Sequence, residues 1–193
     1  QDIQTILKNR GKTPIYILGE GTNLLVSDHG IRGVVISLKE CFKEIKRPLF
    51  FKKEERRAVL KVGAGAKMSY LAKHAARFSL TGIEHLVGIP GSLGGAIIMN
   101  AGAEDTEIGS VLRSVTRITR NGEIQTLKRE DLSFEYRKTI FPGEAGIVTK
   151  AEIELKEGDR SEIVSAMDRH LSKRSKTQPL TIPNSGSIFK NPE

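Results

Sequence analysis

Glycines cluster in this chain where a backbone would have to come close to something flat or charged. Gly19-Glu20-Gly21-Thr22-Asn23 follows one apolar run, Gly63-Ala64-Gly65 follows a second, and Gly88-Ile89-Pro90-Gly91-Ser92-Leu93-Gly94-Gly95-Ala96 runs into Ile97-Ile98-Met99 and Asn100-Ala101-Gly102. Without a Cβ, backbone N–H groups can turn inward and approach a ligand. Several such groups form a concave nest of positive potential suited to a pyrophosphate. A dinucleotide fingerprint fails at both short loops, because its third glycine would fall on Leu24 or Met68, where helix–strand contact needs a small residue. No Gly-Lys-Ser/Thr is present, which excludes a P-loop. Gly63 and Gly65 read as a plain strand-to-helix turn. The 19–23 loop reads, taken alone, as either a tight turn or a ligand loop. The third loop carries too many glycines beside a buried run to be structural only, so ligand contact is expected there. His85 beside Glu84 reads as a structural histidine rather than an acid–base pair.

The bulk properties narrow the classes. At 193 residues the chain can bury a real core in one or two domains, and 38% hydrophobic with 28% charged residues is ordinary for a globular protein. A single cysteine, Cys41, excludes an intramolecular disulfide and a cysteine metal cluster; no metal site is expected, and a reducing cytoplasm fits. No apolar run approaches the ~18 residues of a membrane span, so no membrane association is expected. The net charge of +8 favours anions, either nucleic acid or phosphates on a small molecule. Aromatics at 5% and basic residues scattered along the chain argue against nucleic acid. Gln1 at the start and the stop at Glu193 suggest that the sequence is a piece of a longer one.

The elements that must carry these loops can be read from periodicity. Ile3, Ile6 and Leu7 mark a short amphipathic helix over 1–10, and Ile15–Leu18 reads as a buried strand. Leu24–Val26 and Val34–Ile36 read as two further strands. Residues 58–62 form a strand leading to a helix marked by Met68, Leu71, Ala72, Ala75 and Ala76. Asn121-Gly122 predicts a type I′ hairpin within 111–128. Ile147, Thr149, Ala151, Ile153 and Leu155 alternate with polar or outward positions, Val148 among them. Asp159 with Glu162 opens a helix whose face is Ile163, Val164, Met167 and Leu171. The class is α+β, with boundaries expected to divide the chain at 1–39, 40–157 and 158–193.

Four motifs in order then resemble one family. Gly19–Val26 resembles its first flavin loop, and Gly88–Ala96 with Asn100-Ala101-Gly102-Ala103 its second. Phe134-Glu135-Tyr136-Arg137 and Phe141 are similar to its Phe-x-Tyr-Arg signature, and Gln178-Pro179, Pro183 and Gly186–Pro192 to its serine-bearing stretch. The family is UDP-N-acetylenolpyruvoylglucosamine reductase, an enzyme of peptidoglycan precursor synthesis. The resemblance implies a two-subdomain FAD-binding fold of the vanillyl-alcohol-oxidase (PCMH) type, followed by the start of an α+β substrate domain.

It also implies roles. FAD would be held by Gly19, Glu20, Gly21, Thr22, Asn23 and Leu24, by Gly88, Ile89, Pro90, Gly91, Ser92, Gly94, Gly95 and Ala96, and by Asn100, Ala101, Gly102 and Ile147. Hydride would pass from NADPH to FAD and on to the enolpyruvyl ether of UDP-N-acetylglucosamine. Arg137 would stabilise the charge developing on the carboxylate, and Ser187 would supply the proton. Tyr136, Lys176 and Asn191 would contact the sugar nucleotide. A cytoplasmic monomer is expected. Glu104-Asp105 departs from the family's Tyr-Gly, and the family's downstream glutamate would lie past Glu193, so the chain by itself is expected not to turn over. Two alternatives remain: another flavoenzyme of the same fold acting on a small molecule, and, remotely, a basic nucleic-acid-binding protein.

Overall fold

The computed structural model describes residues 1–51, 53–103 and 106–179. Helix α1 (Asp2–Asn9) precedes strands β1 (Ile15–Leu18) and β2 (Val34–Ser37), which pair in parallel with Ile15 opposite Val34. Then come β3 (Leu49–Phe51), β4 (Arg57–Gly63), α2 (Met68–Arg77), β5 (Leu80–Thr81), a 3-10 turn at Glu84–Gly88 and α3 (Leu93–Ile98). The short pair β6 (Gly102–Ala103) and β7 (Thr106–Glu107) leads to the hairpin β8 (Leu112–Ile118) and β9 (Ile124–Lys128). A second hairpin, β10 (Ser133–Glu135) and β11 (Lys138–Ile140), precedes the long β12 (Ile147–Glu157) and α4 (Arg160–Thr177).

The large sheet runs in the order β3-β4-β12-β8-β9 with antiparallel neighbours, and β5 pairs with the far end of β12. Its core joins Leu60 and Val62 of β4, Val115 of β8, Ile153 and Leu155 of β12, and Met68, Leu71 and Ala75 of α2. Burying one such Leu or Ile side chain stabilises by about 1.5–3 kcal/mol. The adjacent stripe of α2, Ala72 and Ala76, packs with Val87 against Ile163 and Met167 of α4. Asp159 starts α4 by accepting from the Ser161 and Glu162 amides at 2.8 and 3.0 Å. Those bonds, with the Ser161 hydroxyl first among them, hold its carboxyl below the ordinary range.

Four expectations change. Leu24–Val26 is not a strand but exposed loop, with Leu25 88% accessible. β1 is a strand but not a buried one, since Tyr16 and Ile17 are exposed; among the described residues its one ladder partner is β2. The hairpin at Asn121-Gly122 is real, but only Gly122 (φ +83°) has positive φ, and Thr119 pairs with Glu123. It is a three-residue loop with glycine in the left-handed position, not type I′. In β12 the alternation breaks at its start. The register against β8 shifts between Val148 and Lys150, and the bulge turns Val148 into the main core. Ile147 joins a separate cluster with Leu7, Leu38 and Ile118. β12 thus enters both cores within two residues.

Gly63 and Gly65 have a packing reason beyond a turn. A Cβ on either would stand 1.9 Å from the carbonyl oxygen of Phe42 or Cys41, because the segment before β3 crosses directly over them. The Gly63 and Gly65 amides donate to Glu44 and Phe42 there.

Candidate functional site

The loop leaving β1 and the loop entering α3 face each other. Thr22 Oγ1 donates to Pro90 O at 3.4 Å, a Cβ at Gly19 would stand 2.6 Å from Ser92 Oγ, and one at Gly91 would stand 3.1 Å from Thr22 Oγ1. Gly91 also holds φ +124°, a region that disfavours side chains. Between the loops opens a crevice of about 830 Å³. Gly19, Glu20, Gly21, Thr22, Asn23 and Leu24 form part of its wall. Gly88, Ile89, Pro90, Gly91, Ser92, Gly94, Gly95 and Ala96 form the facing part, continued by Ala101, Gly102 and Arg137. These glycines keep the wall at backbone level, where side chains would fill the space.

Arg137 sits in the two-residue turn between β10 and β11, since Glu135 pairs with Lys138. Its φ of +58° is unusual for a side-chain-bearing residue. Two contacts hold it there: Nη1 donates to Gly102 O at 3.0 Å, and the guanidinium lies 5.1 Å from the centre of the Tyr136 ring. Such left-handed outliers cost about 1–3 kcal/mol and persist where surroundings over-determine them. Gly102 can approach only because it lacks a Cβ, which would meet Thr106 O at 2.3 Å.

Other expected residues stand elsewhere. Asn100 is fully buried behind the wall; its amide nitrogen donates to Glu107 Oε2 and to Glu135 O at 3.1 Å, and its Oδ1 accepts from the Gly109 amide at 3.2 Å. It ties the glycine loop to the strand that ends at the Arg137 turn. Ile147 is buried in the cluster behind the wall, between Gly146 and Val148, which do line the crevice. Tyr136 is half-exposed beneath Arg137 and outside the wall. Lys176 faces an open groove on the other side of α4, with Asp168 and Ser172. Ser187 and Asn191 lie outside the described residues.

Helix α4 supplies what sequence reasoning missed. His170, Lys173, Arg174, Thr177 and then Gln178 line the crevice, and His85 joins them with its ring 6.5 Å from that of His170. The signal was present as basic residues at helical i, i+3, i+4 spacing, 170, 173 and 174. Nothing in the sequence says that this face of the helix turns back towards the glycine loops. Glu20 is the carboxylate of the wall; its Oε2 lies 3.7 Å from Lys67 Nζ, and its buried Oε1 has no hydrogen-bond partner among the described residues.

A crevice lined by two glycine-bearing loops, by Lys173, Arg174 and Arg137, and by apolar Ile17, Leu18 and Ile98 fits a large dinucleotide carrying a planar ring. The class is that of flavin-binding proteins with paired loops in place of a single Rossmann fingerprint. Residues 1–128 match the family model described as FAD binding domain, and the chain belongs to that family.

Relatives extend the match past that region. The chain is 41% identical over 184 residues to a UDP-N-acetylenolpyruvoylglucosamine reductase of Agathobacter rectalis, covering 93% of this chain and 59% of the relative. It is 37% identical over 194 residues to one of Shouchella clausii, covering 100% of this chain and 60% of that protein. The crystal structure of the Thermus caldophilus reductase superposes with a TM-score of 0.76 at 34% identity, over 98% of this chain and 65% of that one. Cholesterol oxidase of Brevibacterium sterolicum shares the fold alone, with a TM-score of 0.57 at 13% identity over 81% of this chain and 33% of that one. The chain thus spans about three fifths of the length of the curated relatives it matches. Among the described residues no helix is long and apolar enough to cross a membrane.

Proposed function

We propose that this chain is the flavin-holding part of a UDP-N-acetylenolpyruvoylglucosamine reductase, with FAD in the crevice and NADPH as the hydride donor. The observation that carries the reading is the convergence of Arg137 with both glycine loops on one crevice. Bound FAD supplies hydride transfer; the chain's own groups bind, orient and neutralise. The loops at 19–24 and 88–96 hold the cofactor, with Ala101 and Gly102 at its edge and Asn100 and Ile147 supporting the wall from behind. Arg137, held by Gly102 and Tyr136, offers a fixed guanidinium to a carboxylate at the mouth of the crevice, where its charge stabilises the negative charge that develops as the double bond is reduced. Ser187 would give the proton to the adjacent carbon, and Tyr136, Lys176 and Asn191 would contact the sugar nucleotide.

The domain reading accompanies this one: residues 1–39 and 40–157 form the two flavin-binding subdomains, and 158–193 opens the substrate domain. The proposed substrate and donor are cytoplasmic metabolites, which supports a cytoplasmic protein; a monomer that does not bind nucleic acid is part of the same proposal.

The experiment is a visible spectrum of the purified chain with FAD, followed by addition of the enolpyruvyl sugar nucleotide. A flavin spectrum that shifts with that ligand and not with simple alcohols is expected. A colourless chain that takes up no FAD would defeat the reading, and a shift with alcohols instead would favour a small-molecule oxidase of the same fold.

A further inference from the structure

We propose that Arg174 is a ligand for the diphosphate of the bound cofactor, an assignment that rests on FAD being the occupant of the crevice. Arg174 lines the crevice from α4, an element outside both glycine loops. Its stem lies along the entry of the third glycine loop: a Cβ on Gly88 would stand 3.4 Å from Arg174 Cδ. Its Nε is buried and meets no acceptor among the described residues. A guanidinium cannot relieve that situation by losing its proton, and a buried donor without an acceptor is destabilising. The position makes sense when an anion occupies the space in front of it.

The kind of anion follows from the surroundings. A planar fork of N–H donors matches two oxygens of one phosphate or carboxylate. Arg137, the other arginine of the wall, is tied to Gly102 on a different element. On the α4 side Arg174 stands with Lys173, His170 and His85, a concentration of basic residues. Glu20, the wall's carboxylate, has Lys67 beside it. The same edge borders Gly88–Gly91, whose glycines let backbone amides approach phosphate oxygens. A dinucleotide with its ring near Arg137 and its diphosphate along α4 uses both cations. The substrate's own diphosphate is the other possible source of such an anion, and the test separates the two.

Apo chain and its Arg174→Gln and Arg174→Lys variants are titrated with FAD and with riboflavin, which has no phosphate, by flavin fluorescence. FAD-loaded chains are then titrated with UDP-N-acetylglucosamine. Arg174→Gln is expected to weaken FAD roughly tenfold or more while changing riboflavin less than about twofold, with Arg174→Lys in between. The difference from the native chain should shrink as salt is raised. Thermal melting of the apo variants should be no lower than that of the native apo chain, since the buried Nε has no acceptor among the described residues to lose. Equal loss of FAD and riboflavin with a lower apo melting point would make Arg174 structural and overturn the proposal. Unchanged FAD affinity, or a loss confined to UDP-N-acetylglucosamine, would overturn it while leaving FAD as the occupant. If the native chain takes up no flavin at all, the underlying reading fails and this one with it.

Discussion

The large sheet and the β1–β2 pair each carry one side of the crevice, and they are built differently. In the sheet, strands and α2 enclose fully buried Leu60, Met68, Leu71 and Ile153, so the loop from Gly88 to Gly95 hangs on a packed body. In the pair, Tyr16, Ile17, Val34 and Val35 are exposed, and the anchors are Leu7, Leu38, Ile118 and Ile147 behind them. One wall is rigid because its support is buried on several sides. The other depends on a small cluster and on contacts across the crevice, such as Thr22 with Pro90. A ligand held by both walls adds the contacts that the weaker one lacks, so binding should stabilise the N-terminal unit more than the sheet.

The contrast can be broken by mutation. Leu60→Ala in the sheet should cost about 2–5 kcal/mol in denaturant unfolding, because a fully enclosed site cannot collapse. Unfolding free energy changed by less than 1 kcal/mol would show that the sheet is not the stable half. Gly91→Ala comes next. It forces a side chain into φ +124° and against Thr22, so FAD affinity should fall roughly tenfold with secondary structure kept, as read by flavin fluorescence and circular dichroism. Unaltered affinity would mean that the two loops need not meet. Val35→Ala in β2 should shift stability by no more than about 0.5 kcal/mol, and a large loss would show that the exposed pair is better supported than its accessibility implies.

The smallest effect is a pH dependence on the sheet side. Burial, ahead of the Arg77 charge, lowers the His74 pKa, with a hydrogen bond to the Lys46 backbone opposing. The folded state therefore prefers neutral His74. Its contribution is complete above the ordinary value of about 6.5 and is lost as pH falls through the lower folded value. His74→Gln should flatten the fall in melting temperature between about pH 7 and 5, and an unchanged slope would remove His74 from the account.

Much of the scaffold was legible because it obeys local rules. Helical spacing at Met68, Leu71, Ala72, Ala75 and Ala76 marked α2, and Asp159 marked the start of α4. The glycine loops at 19–23 and 88–96 stood out by composition, and the structure places residues of both on one crevice. The failures were tertiary. Leu24–Val26 has strand composition but no ladder partner among the described residues, and at the irregular start of β12 Ile147 and Val148 are both buried, each in a different core. Asn100, read as a cofactor contact, holds the loop from behind through Glu107, Glu135 and Gly109.

Residue order alone determined which segments could be helix or strand and where backbone could approach a ligand closely, since periodicity and missing Cβ atoms are local properties. Only the tertiary structure decided that the 19–24 and 88–96 loops, Arg137, and His170, Lys173, Arg174, Thr177 and Gln178 contribute to one crevice. That meeting depends on how α4 packs against α2 and the 3-10 turn through Ile163, Met167 and Val87. Burial of those apolar faces, distant in sequence, sets which side of α4 presents its cations to the loops.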